Sequence, residues 1–147
     1  MKLQDALVGV KSLFLDTAPI IYHVEGNSTY QALTDIVFQY IQNGALEAVT
    51  SSVTLAECLV YPYRHGDMAL AQKFRRAITA GTHTRYVGVD ASAEQAAELR
   101  ARYNLTLTDA FQVAAALTAS CDVFLTNDAT LKRVSELTVL MLDELEA

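Results

Sequence analysis

Tryptophan is absent from this chain, and cysteine and proline occur only twice each, at Cys58 and Cys121 and at Pro19 and Pro62. Two isolated cysteines build neither a disulfide framework nor a zinc module, and they suit a reducing compartment, so the cytoplasm is the expected location. The six glycines form no G-x-G-x-x-G fingerprint and no G-K-[ST] phosphate loop, which argues against a nucleotide-binding switch. No apolar run approaches the roughly 18 residues of a membrane span, so no membrane partner is expected. The amino end, with Asp5 and Lys11 around a short apolar stretch, does not read as a signal peptide. Internal repeats, low-complexity tracts and Pro/Gly/Ser linkers are missing as well, so residues 1–147 read as a single domain.

Basic residues are also scarce. Eleven Lys and Arg against seventeen Asp and Glu leave a formal charge of −6, which disfavours a polyanionic partner. Their distribution softens that conclusion. Arg64, Lys73, Arg75, Arg76 and Arg85 fall in one span whose only acid is Asp67. Such a cluster is either a solvated helix face or a surface for phosphates.

What the chain has in quantity is apolar sequence arranged in alternating short and long segments. Runs at 12–16 ("SLFLD"), 46–52, 84–89, 122–127 and 137–142 read as strands. Residues 28–43, 53–64, 67–81, 91–103 and 109–120 read as helices, the last ("DAFQVAAAL") nearly apolar all round and suited to burial against a sheet. The residues "TAPII" after Asp16 read as a turn, with Pro19 tolerated in a first helical turn. Parallel neighbours need helical crossovers, so this order predicts a three-layer α/β/α sandwich around a mainly parallel central sheet.

That architecture places the acids. Asp16 ends the first strand, Asp128 follows the fourth, and Glu57 lies about one turn into the helix after the second. Strand carboxyl ends and the helix starts that follow them share one edge of a parallel sheet. Asp109 joins them if its helix begins at that edge. Each acid alone has a capping explanation: Asp16 before "TAPII", Glu57 in the T-x-x-E box of "TLAE" (54–57), Asp109 before "AFQV" and Asp128 before "ATLK". Taken together, four carboxylates at one edge would repel unless a cation sits among them.

Oxygen ligands and scattered histidines (His23, His65, His83) point to Mg²⁺ or Mn²⁺ rather than zinc. Such ions keep waters and complete their shell with phosphate oxygens, so the expected substrate is a phosphate ester. Two divalent ions would also bring the formal charge from −6 to −2.

The segments "LFLDTAPIIY", "TSSVTLAE", "LTLTDAFQVAAAL" and "VFLTND", in this order, resemble the PIN-domain ribonucleases, most closely the VapC-like toxins of toxin–antitoxin pairs. The resemblance runs from about Ser12 to Leu142. It implies a PIN-like α/β/α sandwich and Mg²⁺- or Mn²⁺-dependent cleavage of RNA by a metal-activated water, leaving a 5′-phosphate and a 3′-hydroxyl. Asp16, Glu57, Asp109 and Asp128 then become the metal-site and catalytic acids. The family's fourth position varies, and Asn127 shares that role in the alternative. The resemblance further implies a cognate antitoxin whose tail lies across the acidic cleft, and a homodimer; the apolar residues of 32–41 suit either the core or such an interface.

Thr17, Ser51, Thr126 and Asn127 are candidates to position water or phosphate; the three hydroxyls could equally be caps. The basic residues Arg64, Lys73, Arg75, Arg76 and Arg85 are candidates for RNA binding, with Tyr61, Tyr63 and Tyr86 either stacking on bases or packing half-buried. Two rival functions remain. A phosphatase of the haloacid-dehalogenase type also ends its first strand in Asp, but needs a second Asp where this chain has Ala18. A non-catalytic RNA-binding module would leave four costly acids without a purpose.

Overall fold

In the computed structural model, which describes residues 1–147, the five apolar runs form strands β1 (Ser12–Leu15), β2 (Glu47–Ser51), β3 (Thr84–Val87), β4 (Val123–Thr126) and β5 (Thr138–Met141). All of them pair in parallel, in the spatial order β3-β2-β1-β4-β5. The sheet is therefore parallel throughout rather than mainly so. Period-two burial sets the register: Leu13, Leu15, Val123 and Leu125 serve one face, while Phe14 and Phe124 pair on the other with stacked rings 5.0 Å apart.

Seven α-helices surround this sheet: α1 (Leu3–Ala6), α2 (Thr17–Glu25), α3 (Gln31–Gln42), α4 (Ser52–His65), α5 (Met68–Thr79), α6 (Ala93–Tyr103) and α7 (Leu107–Thr118). The Leu13 face is covered by α2 to α5, which contribute Ile20, Val37, Phe74 and Ile78 to its core. The Phe14 face is covered by α6 and α7, through Leu99, Val113 and the small side chains of Ala110, Ala114 and Ala116. This is the expected α/β/α sandwich. In α3 the apolar positions Leu33, Val37 and Ile41 are core. Beyond the predicted helices, α1 is a four-residue turn and α2 continues past Pro19, which sits in its first turn where a missing N–H does no harm. No helix is long and apolar enough to cross a membrane.

The path of the chain creates the site. From β1 it steps outward to β2 and β3, then returns through α6 and α7 to place β4 and β5 on the other side of β1. Strand order reverses between β1 and β4, and in an open parallel sheet a crevice forms outside the strand carboxyl ends at that reversal.

Candidate active site

Asp16 follows β1 at the reversal, and its two oxygens are already engaged. Oδ1 accepts from the Thr17 amide at 2.8 Å, capping α2, and Oδ2 accepts from the Thr126 hydroxyl at the end of β4 at 2.7 Å. Thr126 Oγ1 in turn accepts the Asp128 amide at 3.0 Å. Asp128 caps the short 3₁₀ turn Ala129–Arg133, accepting from the Thr130 amide at 3.0 Å and hydroxyl at 2.8 Å. Capping thus accounts for part of what both of these acids do.

For the other two it does not. The cap of α4 is Ser51, whose Oγ accepts from the amides of Val53 and Thr54, so the T-x-x-E box is not formed. The cap of α7 is Thr106, which accepts from the Asp109 amide at 3.2 Å. Glu57 instead reaches across to α2, where its Oε1 accepts the Thr17 hydroxyl at 2.9 Å.

The four acids share one electrostatic neighbourhood. Burial is the main reason the Asp16 carboxyl is pushed up to about 6; the bonds from Thr126 and Thr17 pull it back, and the charges of Asp109 and Glu57 push it further. Glu57 is also raised, chiefly by desolvation and then by the charge of Asp109. Asp109 is raised by desolvation, with the charge of Asp128 adding to it. None of the four forms an ion pair with a Lys or Arg. Mutually repelling carboxylates without an internal cation are a donor set suited to a hard divalent ion.

No three His, Cys, Asp or Glu side chains stand close enough together to hold one ion in this arrangement. Asp16 is buried and pinned, whereas Glu57 and Asp128 are exposed and Asp109 is partly so. The nitrogen and sulfur ligands lie elsewhere: His23 bonds Asp35, His65 the Tyr61 carbonyl and His83 the Ile41 carbonyl. Burial pushes both thiols, Cys58 and Cys121, up to about 12.

Residues 13–137 match the PIN domain family. The chain belongs to the PIN domain family. No curated protein sequence matches it. Among solved structures, this PIN domain resembles VapBC2 of Rickettsia felis, bound to a DNA fragment from its promoter, with a TM-score of 0.67, 15% identity, and coverage of 88% of this chain and 98% of that one. It also resembles a toxin–antitoxin complex of Klebsiella pneumoniae, with a TM-score of 0.66, 20% identity, and coverage of 88% and 97%. A third is VapC20 of Mycobacterium tuberculosis, a sarcin-ricin loop cleaving toxin, with a TM-score of 0.66, 18% identity, and coverage of 86% and 98%.

The hydroxyl and amide candidates of this PIN domain divide into two groups. Thr17 and Thr126 touch Glu57 and Asp16, so they hold acids in place. Ser51 is fully buried and its hydroxyl is committed to α4 and to Gln112, which removes it from contact with phosphate. Asn127 accepts from the Asp143 amide at 2.9 Å and donates to the Tyr22 hydroxyl at 3.3 Å, so it ties the end of β4 to its neighbours instead of sharing the Asp128 position. Gln112, buried in α7 and bonded to Ser51 and Thr54, did not stand out in the sequence; its one signal is a long polar side chain inside "AFQVAAAL".

The basic segment is only partly gathered. Arg64 lies in the last turn of α4, and Lys73, Arg75 and Arg76 lie on α5, none of them paired with an acid. Arg85 is on β3, pairing with Glu47 at 3.3 Å and donating to the Ala119 carbonyl after α7, so it belongs to the opposite layer. A helix and a strand adjacent in sequence present their side chains to different faces. Tyr61 stacks on His65, and the Tyr63 hydroxyl accepts from Arg75 at 3.2 Å, though both rings stay exposed.

Proposed function

We propose that this PIN domain is a divalent-metal-dependent endoribonuclease and the toxin of a toxin–antitoxin pair. The observation that carries the reading is the chain of carboxylates Asp16, Glu57, Asp109 and Asp128 at the strand-order reversal, none of them with a basic partner, in which Asp16, Glu57 and Asp109 are raised in proton affinity by burial and by neighbouring acids. Family membership and the toxin–antitoxin complexes that share the fold support it.

When bound, Mg²⁺ or Mn²⁺ lowers the pKa of its water and offsets charge on the phosphoryl oxygens. Asp16 is the fixed anchor, oriented by Thr126 and by the α2 amide. Thr17 restrains Glu57 against the same helix, while Asp109 and Asp128 supply negative charge from α7 and from the turn after β4. No histidine base is needed at the reacting phosphate. The decisive test is cleavage of RNA by the purified protein with and without chelator: cleavage that stops with chelator and returns with Mn²⁺ supports the reading, and chelator-resistant cleavage or activity on small phosphomonoesters alone rejects it.

The RNA strand rests on α4 and α5 in this reading, with Arg64, Lys73, Arg75 and Arg76 facing phosphates. Changing Arg75 and Arg76 together to Ala is expected to weaken RNA binding and to reduce the slope of log affinity against log salt by about 2. Equal slopes for wild type and variant would remove the surface from the proposal. An antitoxin segment has a route to the acids as well, through a groove of about 330 Å³ among α2, α4 and α5 that is lined by Ile21, Tyr61 and Phe74 and reaches Glu57.

A further inference from the structure

The two acid-bearing helices α4 and α7 are joined by one buried carboxamide. The Ser51 hydroxyl donates to Gln112 Oε1, and Gln112 Nε2 donates to the Thr54 hydroxyl at 2.7 Å. Ser51 Oγ then accepts from the amides of Val53 and Thr54 at 3.1 and 3.3 Å. All three side chains are fully enclosed, and no buried side-chain nitrogen or oxygen is left without a partner. Thr54 precedes Glu57 by about one helical turn, and Gln112 follows Asp109 by about one turn.

A carboxamide at such a position is costly unless its bonds are made, and an apolar side chain of the same length would fill the space without that penalty. The remaining buried side chains of α7 are Ala110, Val113, Ala114, Ala115 and Ala116, small groups that permit close packing but specify neither the rotation nor the sliding of the helix. Directional bonds to Ser51 and Thr54 supply both constraints, and they do so between the helices that carry Glu57 and Asp109.

We infer that Gln112 is a positioning residue that fixes the separation of Glu57 and Asp109 and thereby sets the affinity of the carboxylate cluster for its divalent ion. This rests on the metal-dependent reading above. It predicts that the link, more than the fold, determines how much metal the protein needs.

Two variants break the link from opposite sides: Gln112→Met keeps length and apolar volume but removes both bonds, and Thr54→Val removes the acceptor on α4. The measurement is a Mn²⁺ titration of the melting temperature, run beside RNA cleavage over the same concentrations. Each variant is expected to raise the half-saturating Mn²⁺ about 10- to 100-fold. The double variant should be no weaker than the worse single one, because both remove the same link. Cleavage should recover toward the wild-type rate at saturating Mn²⁺. Variants that melt lower but half-saturate at the wild-type concentration would reduce Gln112 to packing and overturn the inference. Where Gln112→Met does not fold, the Thr54→Val midpoint decides between the same outcomes. A wild type whose melting temperature ignores Mn²⁺ overturns the metal reading itself, which is a different failure.

Discussion

Replacing Asp16 by Asn is expected to abolish RNA cleavage, by at least about a hundredfold, while making the metal-free protein more stable. The first half follows from position. Asp16 is the one buried acid of the four, held from two sides by Thr17 and Thr126, and Asn offers an ion no negative charge there. The second half follows from its proton affinity. A carboxyl moved from 3.8 to about 6 binds protons more tightly in the folded state than in the unfolded chain. Ionising it at neutral pH therefore destabilises the fold, by at most about 3 kcal/mol, since each pH unit corresponds to 1.36 kcal/mol.

That figure already includes the hydrogen bonds from Thr126 and Thr17, which favour the ionised form. Asn stands in for the neutral acid and escapes the penalty. In a chain of this size the gain corresponds to a rise of about 5–10 °C in melting temperature at pH 7.5 without metal. Adding Mn²⁺ should narrow the gap, because only the wild type gains from binding it. Thermal melts at both conditions, with a cleavage assay on the same preparations, check both halves. A variant that loses cleavage and also melts lower would mean that Asp16 is a structural cap, and one that keeps cleavage would remove it from the site.

Much of this arrangement was legible along the sequence. The strands lie where the apolar runs place them; for the central β1, β2 and β4 this is because a parallel strand buried on both faces leaves a continuous apolar signal. The edge shared by Asp16, Glu57 and Asp128 followed from parallel topology alone. What could not be read are pairings between distant residues. The spacing of "TLAE" suited a capping box, yet Ser51 supplies the cap and Glu57 bonds Thr17 on another helix. Asn127 beside Asp128 looked like a second ligand, but its amide is used by Asp143 and Tyr22. Arg85 looked continuous with Arg75 and Arg76 and lies in the other layer. Gln112 was hidden for the same reason, since its meaning depends on Ser51 and Thr54, about sixty positions earlier.

Lowering the pH below about 6 at a fixed, subsaturating Mn²⁺ concentration is expected to reduce cleavage about tenfold per pH unit. A metal ligand must lose its proton before it binds the ion. As a ligand in the proposed metal site, Asp16 does so only above about 6, so the binding-competent form is dominant above that value and falls tenfold with each unit below it. Glu57 and Asp109 are raised in the same direction, by their own burial and by neighbouring acids. The stability of the metal-free protein should move in the opposite sense. Between 3.8 and about 6 the folded state holds a proton that the unfolded chain has released, so stability falls as pH rises through that window and stays lower above it. Asp16→Asn should flatten this slope and converge with the wild type near pH 4. In the proposed reading protons and Mn²⁺ compete for the same oxygens, so raising the Mn²⁺ concentration should recover the lost cleavage and move the apparent midpoint to lower pH. A midpoint that ignores metal concentration would place the titrating group outside the carboxylate cluster, and a rate constant from pH 5 to 7.5 would show that no proton is displaced when the ion binds.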